Sequence, residues 1–387
     1  MSNCLIVGGG VVGLSLAYEL AGHGQSVRVI DAGQPGREAS WAGAGILPPA
    51  ASQSLDPLEQ LTALSNTLHV QWAQELRERT QIDNGFRRCG AIYLARDQQE
   101  ADRLYQHFAT ARSQGLAVER LSVSELACRQ AALVPAGRVQ AAYHVRDEWQ
   151  LRNPRHLKAL LTACIQRGVE ITPGLAAHDF EIRGGRVCRV LTAQGPLFAD
   201  QVCLTSGAWT CVLAQRLGCA LAIRPIRGQI ALLASARQVL THIVNEGRRY
   251  LVPRPDGRLL AGSTEDDAGF DRGTTVGGIE GLLAFALGLV PDLAQSQLER
   301  TWAGLRPATA DGRAYLGAVP GLSNVFVAAG HFRSGLQLST GTALVVGQLM
   351  RGETPPIDLG PFRLDRGREG DDSPLGAQRA RREIPQL

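Results

Sequence analysis

Residues 3–31 read NCLIVGGGVVGLSLAYELAGHGQSVRVID, and the order of their parts decides the fold. A short apolar strand leads into Gly8-x-Gly10-x-x-Gly13, an amphipathic helix follows with Leu14, Ala17, Leu20 and Ala21 turned inward, and a second strand ends at Asp31. Gly8 permits the tight turn, Gly10 lets a pyrophosphate approach the backbone, and Gly13 lets the helix lie close to the strand. The pyrophosphate then sits on the helix N-terminus, whose free N–H groups favour negative charge. Asp31, 18 residues after Gly13, is placed to accept hydrogen bonds from an adenosine ribose. The glycines alone are weak evidence. Strand, helix, strand and acid in this order predict a dinucleotide-binding domain.

Working outward, residues 32–49 read AGQPGREASWAGAGILPP, a loop of small residues rather than a crossover helix feeding another strand. Ala39, Ser40, Gly43, Ala44 and Gly45 leave few side chains in the way of a large flat ligand. Trp41 and Ile46 argue against a wholly exposed loop. Further on, GRVCRVLTAQGPLFADQVCLTSGAWT (185–210) predicts a hairpin, 187–190 with 197–199, then an apolar strand over 201–204 and a turn at Ser206-Gly207-Ala208-Trp209.

A third segment, VAAGHFRSGLQLSTGTALVVGQLM (327–350), looks like a buried strand running into a buried helix, with Arg333 at the junction. A cation just before a helix start is unfavourable, because the free N–H groups there already carry partial positive charge. Something negative is expected to bind between them.

Composition narrows the function. The chain has 387 residues, 44% hydrophobic and 20% charged, which is ordinary for a globular protein of two domains. Its formal charge is only +4, and no basic stripe with interleaved aromatics marks a nucleic-acid binder. Eight cysteines occur without Cys-x-x-Cys pairs, and neither they nor His69, His107, His144, His156, His178 and His242 show metal-ligand spacing, so reduced core thiols and no metal are expected. No run of 18 apolar residues predicts a membrane span, and from the glycine-broken start without a basic n-region no signal peptide is expected. A cytoplasmic protein is expected. Residues 54–80 and 97–115 read as surface helices, and 363–387, polar and charged with both signs, as a disordered tail.

The segments GGGVVG, EASWAGAGIL, LTSGAWT, RYLVPR, WAGLRPATADGRAYLG and AAGHFRSGLQLSTGTA together make residues 1–365 resemble the D-amino-acid oxidase family of flavoproteins, its glycine oxidases most of all. The resemblance implies an α/β fold. A discontinuous, doubly wound FAD-binding domain of the glutathione-reductase type would comprise 1–84, 144–222 and 304–362. A smaller α+β substrate domain with a mixed sheet would comprise 85–143 and 223–303. Carried over by position, Gly8, Gly10, Val11, Val12, Gly13, Asp31, Ala32, Ala39, Ser40, Ala44, Gly45, Ile46 and Gly207 should line FAD, with Ala177 on the adenine side. His331, Phe332, Arg333, Ser334, Gly335, Leu336 and Gln337 should wrap the flavin edge, where a helix start would stabilise the negative reduced ring.

Arg306 follows the small apolar run 302–305 and precedes Pro307, so its fork is held in a rigid extended turn and can take a carboxylate through two parallel hydrogen bonds. The competing reading is a structural arginine. In the resemblance Tyr250 donates its phenol to the same carboxylate, against a merely packed tyrosine. Arg333 reaches past the ring towards that carboxylate, against an arginine paired with a structural acid. Glu265 departs from the family, which tends to show an apolar residue over the flavin there; either its side chain points away or the alignment slips by one. In the resemblance, sarcosine-oxidase relatives use a lysine above the flavin and tether FAD through a cysteine near the place of Gly304 and Leu305, whereas here Lys158, the single lysine, lies far from that segment and no cysteine follows Cys219. Non-covalent FAD is therefore expected.

The function implied is oxidation of glycine and similar small amines such as sarcosine and D-alanine. A hydride passes to flavin, oxygen is reduced to hydrogen peroxide, and the imino acid supplies the thiamine thiazole; the family assembles as tetramers, so a homo-oligomer is expected. Two readings compete: a D-amino-acid or secondary-amine dehydrogenase using a quinone, and a non-catalytic binding protein on the flavoprotein fold.

Overall fold

The structure is a computed structural model that describes residues 3–51, 53–133 and 139–366. Its first layer is a six-stranded sheet in the order Tyr315–Ala318, Val325–Ala329, Gln201–Leu204, Asn3–Val7, Ser26–Ile30, Glu170–Thr172. All neighbours are parallel except the Tyr315–Ala318 edge strand. Strands of this kind are covered on both faces, which is why Leu5, Ile6 and Val7 are all buried.

The Val11–Gly22 helix differs from the one-sided helix expected. Val11, Val12, Ser15, Leu16 and Tyr18 are buried along with Leu14, Ala17 and Leu20, because the Asn153–Gln166 and Ser339–Met350 helices pack on the side away from the sheet. A helix enclosed on all sides carries no polar face. The hairpin beyond it belongs to a three-stranded antiparallel sheet, Ala177–Arg183, Arg186–Thr192 and Gly195–Leu197. Its last strand starts two residues earlier than the sequence suggests, where Gly195 and Pro196 pair with Thr192 and Leu191.

The second layer is an eight-stranded sheet in the order Gln297–Thr309, Ile223–Ala234, Arg258–Gly262, Arg249–Pro253, Ile243–Glu246, Ala91–Ala95, Ala141–Val145, Val118–Arg120. It is mixed, since Ile243–Glu246 runs parallel to Ala91–Ala95. One register row crosses it: Trp302, Ile230, Gly262, Tyr250, Asn245, Tyr93. Residues opposite one another share a face, so this row forms a floor. Gly304, Gly228 and Arg306 lie on the same face two and four positions along.

The Pro57–Thr80 helix is a surface helix, as expected, exposing Thr67, Val70, Gln71, Gln74 and Arg77. It buries Leu61, Ser65, His69, Trp72 and Leu76 and seats the Ser339–Met350 helix, Thr340 Oγ1 donating to the Ser65 carbonyl at 2.9 Å. At the other end Leu364 is buried and Arg366 stacks on Tyr315 while bonding both oxygens of Asp311. Residues 363–366 of the expected tail are thus packed on the fold, and the rest of it, 367–387, lies outside the described residues. Among the described residues no helix is long and apolar enough to cross a membrane, and no group of His, Cys, Asp or Glu is arranged to hold a metal ion.

Candidate active site

A cavity of about 750 Å³ is lined by residues of both sheets, within the range of cofactor and ligand sites. Its first end is built on the glycine turn. Gly8 has φ +114°, and a β carbon there would lie 2.7 Å from the Thr205 backbone; one on Gly13 would lie 2.0 Å from the Gly8 carbonyl oxygen. Helix and strand can be this close only without side chains. Gly13 does its work there, and it is the one expected cofactor residue that does not reach the cavity wall. Asp31 accepts from the N–H of Gly9 at 2.7 Å and from that of Gly33 at 2.8 Å, one bond per carboxylate oxygen. It clamps the glycine turn and keeps lone pairs free for a ligand. The segment expected as a loop carries a short helix, Glu38–Ala42, and Ser40 Oγ on it takes the Val11 N–H at 2.9 Å, tying that helix to the start of the Val11–Gly22 helix.

The second end is the 331–337 turn. Here the expectation of a helix start beside Ser334 is corrected: the α-helix begins at Ser339. Phe332 sits in the left-handed region, φ 47°, with its N–H on the Pro307 carbonyl at 2.9 Å, and the Leu338 N–H reaches back to the Ser334 carbonyl at 2.8 Å. This irregular turn leaves the N–H groups of Gly335, Leu336 and Gln337 without a protein acceptor among the described residues, all three at the cavity wall. Its outer side is held by His69, whose Nε2 lies 3.1 Å from the Leu336 carbonyl and 2.9 Å from that of Gln337. Two acceptors at Nε2 place the proton there. Burial lowers the His69 pKa to about 4, so the ring stays neutral.

Between these ends lie the arginines. Arg306 lies flat over Gly228, where a β carbon would meet its guanidinium carbon at 2.2 Å. It donates to the Thr264 carbonyl at 3.0 Å and to Ser263 Oγ at 2.7 Å. No ion pair engages it among the described residues. Burial pulls its pKa down, opposed by the Tyr250 phenol beside it. Tyr250 in turn lies over Gly262, where a β carbon would touch its ring at 2.5 Å. Arg333 lines the same cavity, but its Nη1 pairs with Glu265 Oε1 at 3.0 Å and its Nη2 donates to the Arg248 carbonyl at 3.1 Å. Glu265 is turned to Arg333, its other oxygen held by Arg248 at 2.9 Å.

Residues 3–349 match the FAD dependent oxidoreductase (DAO) family. The chain belongs to this family. It is 36% identical over 364 residues, 93% of this chain and 96% of the relative, to a glycine oxidase of Geobacillus kaustophilus. It is 30% identical over 397 residues, 93% of this chain and 95% of the relative, to the hydrogen cyanide synthase subunit HcnC of Pseudomonas aeruginosa. The crystal structure of glycine oxidase from Geobacillus kaustophilus superposes with a TM-score of 0.90 at 34% identity, covering 95% of this chain and 99% of that one.

As a member of the FAD dependent oxidoreductases, the chain is an enzyme and its cofactor is FAD, which sets aside the non-catalytic reading. The cavity suits the group on its own evidence: a glycine turn that admits no side chain, an acid at the end of the second strand, and three free N–H groups at the opposite end. Apart from Gly13, every residue expected to line FAD is at the wall, Ala177 and Gly207 included. Sequence reasoning missed His69, 267 residues from the carbonyl it holds, and the two cradling glycines, Gly228 and Gly262. It also missed Glu148, fully buried against the Tyr93 hydroxyl at 2.7 Å. The Asn245 amide lies beside Glu148 but its Nδ2 completes no hydrogen bond; burial raises the Glu148 pKa to about 7. The Asp147-Glu148 dipeptide has no periodicity or motif around it that could have signalled this.

Proposed function

We propose that this oxidoreductase is an amino-acid oxidase acting on glycine and on small amines such as sarcosine and D-alanine. The observation that carries the reading is Arg306, a part-buried guanidinium in the cavity whose hydrogen-bond partners are neutral oxygens. A desolvated cation without a directly paired carboxylate is costly, and a substrate carboxylate supplies that partner. FAD, held non-covalently since no cysteine lines the cavity, supplies the acceptor for the hydride leaving the α-carbon. The chain's own part is positioning. Arg306 orients the carboxylate, the Tyr250 phenol beside it closes the pocket, and the packed floor excludes water from the reacting carbon. No side chain is required to accept a proton from that carbon, provided the amine arrives neutral.

Oxygen is the proposed final acceptor, reduced to hydrogen peroxide, and the imino acid would feed the thiamine thiazole. The enzyme would work in the cytoplasm as a homo-oligomer. The similarity to a hydrogen cyanide synthase subunit keeps a second reading in view, a dehydrogenase for D-amino acids or secondary amines that hands its electrons to a quinone. An oxygen electrode with glycine, sarcosine, D-alanine and D-proline separates them. Oxygen uptake and peroxide with glycine are expected; reduction of a quinone analogue by any of these amines, with no oxygen uptake, would replace the first reading by the second.

A further inference from the structure

The two cavity arginines differ in one respect that bears on which substrates fit. Arg306 bonds only neutral oxygens, whereas Arg333 is paired with a carboxylate of the chain itself, Nη1 to Glu265 Oε1 at 3.0 Å. The pair is shielded: Arg333 and Glu265 side chains are 18% and 14% exposed. It is also braced from outside, Arg248 binding the second Glu265 oxygen at 2.9 Å while its carbonyl takes the Arg333 Nη2 at 3.1 Å.

A carboxylate tethered in place competes with a free one at an effective concentration in the millimolar range or above, without losing translational freedom. An incoming carboxylate therefore meets one available guanidinium, Arg306, and one already taken. We propose that Glu265 is a specificity-determining residue: by occupying Arg333 it limits the site to substrates with a single carboxylate and turns away those carrying a second. This rests on the reading of Arg306 as the substrate clamp.

Placement supports the assignment. Glu265 follows Ser263 and Thr264, the two residues whose oxygens hold Arg306, so one short segment sets both arginines. Thr264 itself is anchored, its hydroxyl donating to Asp266 at 2.8 Å and accepting from the Gln229 N–H at 3.1 Å. The segment is not free to swing Glu265 aside without disturbing the Arg306 clamp.

The test uses the FAD-loaded enzyme and non-reactive ligands. Acetate, malonate and succinate are titrated while the flavin absorbance change is followed, in the wild type and in Glu265→Gln, which keeps the side-chain shape but removes the charge. The wild type should bind acetate at least as tightly as either dicarboxylate. Glu265→Gln should gain at least tenfold for a dicarboxylate relative to acetate, because Arg333 is released. A wild type that prefers a dicarboxylate tenfold, or a flavin-loaded Glu265→Gln protein with an unchanged ratio, overturns the proposal. Should that variant fail to hold FAD, the wild-type ranking alone decides. Glycine turnover is measured separately, so that its absence counts against the proposed function and not against this assignment.

Discussion

The Arg306 guanidinium rests on the α carbon of Gly228, so closely that an added β carbon would lie 2.0 Å from its Nη2. The clamp thus depends on a glycine on the neighbouring strand, set opposite Gly304 by register. Arg306→Ala should lower kcat/KM for glycine by at least roughly thirty-fold, since removing one partner of a desolvated charge pair costs on the order of 2–5 kcal/mol. Gly228→Ala should lose substrate affinity although no charge is removed. Steady-state kinetics alongside flavin content checks both. Normal turnover by Arg306→Ala at low glycine would remove the arginine from its role.

Tyr250→Phe should keep kcat within about a factor of ten. General acid–base catalysis is typically worth about a hundred-fold or more, and the phenol here is assigned only to the Arg306 side of the pocket. A loss of four decades, with FAD and substrate still bound, would show that Tyr250 moves a proton.

Asp31→Asn should weaken FAD binding by roughly ten- to a hundred-fold, the worth of a charge-assisted hydrogen bond. The effect has two sources, since Asp31 also holds the Gly9 and Gly33 N–H groups, and a neutral amide has one acceptor oxygen where the carboxylate has two. Quenching of flavin fluorescence on reconstituting the apoprotein gives the constants. Equal affinity in the two proteins would contradict the assignment.

Acid should destabilise the protein below about pH 6.5. Burial lowers the pKa of His69, His242 and His331 to about 4 and that of His156 to about 3. The unfolded chain therefore takes up protons that the folded one refuses, and the stability these residues contribute, complete above the ordinary histidine pKa, is lost as pH falls towards 4. Glu148, raised to about 7, acts with the opposite sign: its contribution is present at low pH and fades as pH rises through 7. Four groups outweigh one, so the melting temperature should be several degrees lower at pH 5 than at pH 7, at roughly 2–4 °C per kcal/mol. His69→Gln should flatten part of that slope and weaken FAD through the 336–337 carbonyls. A flat profile between pH 5 and 7 would show that these rings are not buried in solution.

The sequence by itself determined the nucleotide end of the site. Residues 3–31 are contiguous, and strand, glycine turn, helix, strand and acid can be read along them in order, although the acid meets Gly9 22 residues back only once the fold closes. The likeness of scattered segments to a known family then carried Arg306, Tyr250 and the 331–337 turn to the cavity wall. What only the tertiary structure decided are relations between distant segments. The partner of Arg333 is a carboxylate 68 residues away, and the support of the 336–337 carbonyls is a histidine 267 residues away. The seats of Arg306 and Tyr250 are glycines chosen by cross-strand register, and the start of the last helix moved to Ser339 because Phe332 takes a left-handed turn tied to Pro307. None of these has a local signature. Each arises when chain closure brings two segments to the same few ångströms, and the requirement that buried charges and carbonyls find partners is met by whichever side chain the fold delivers there.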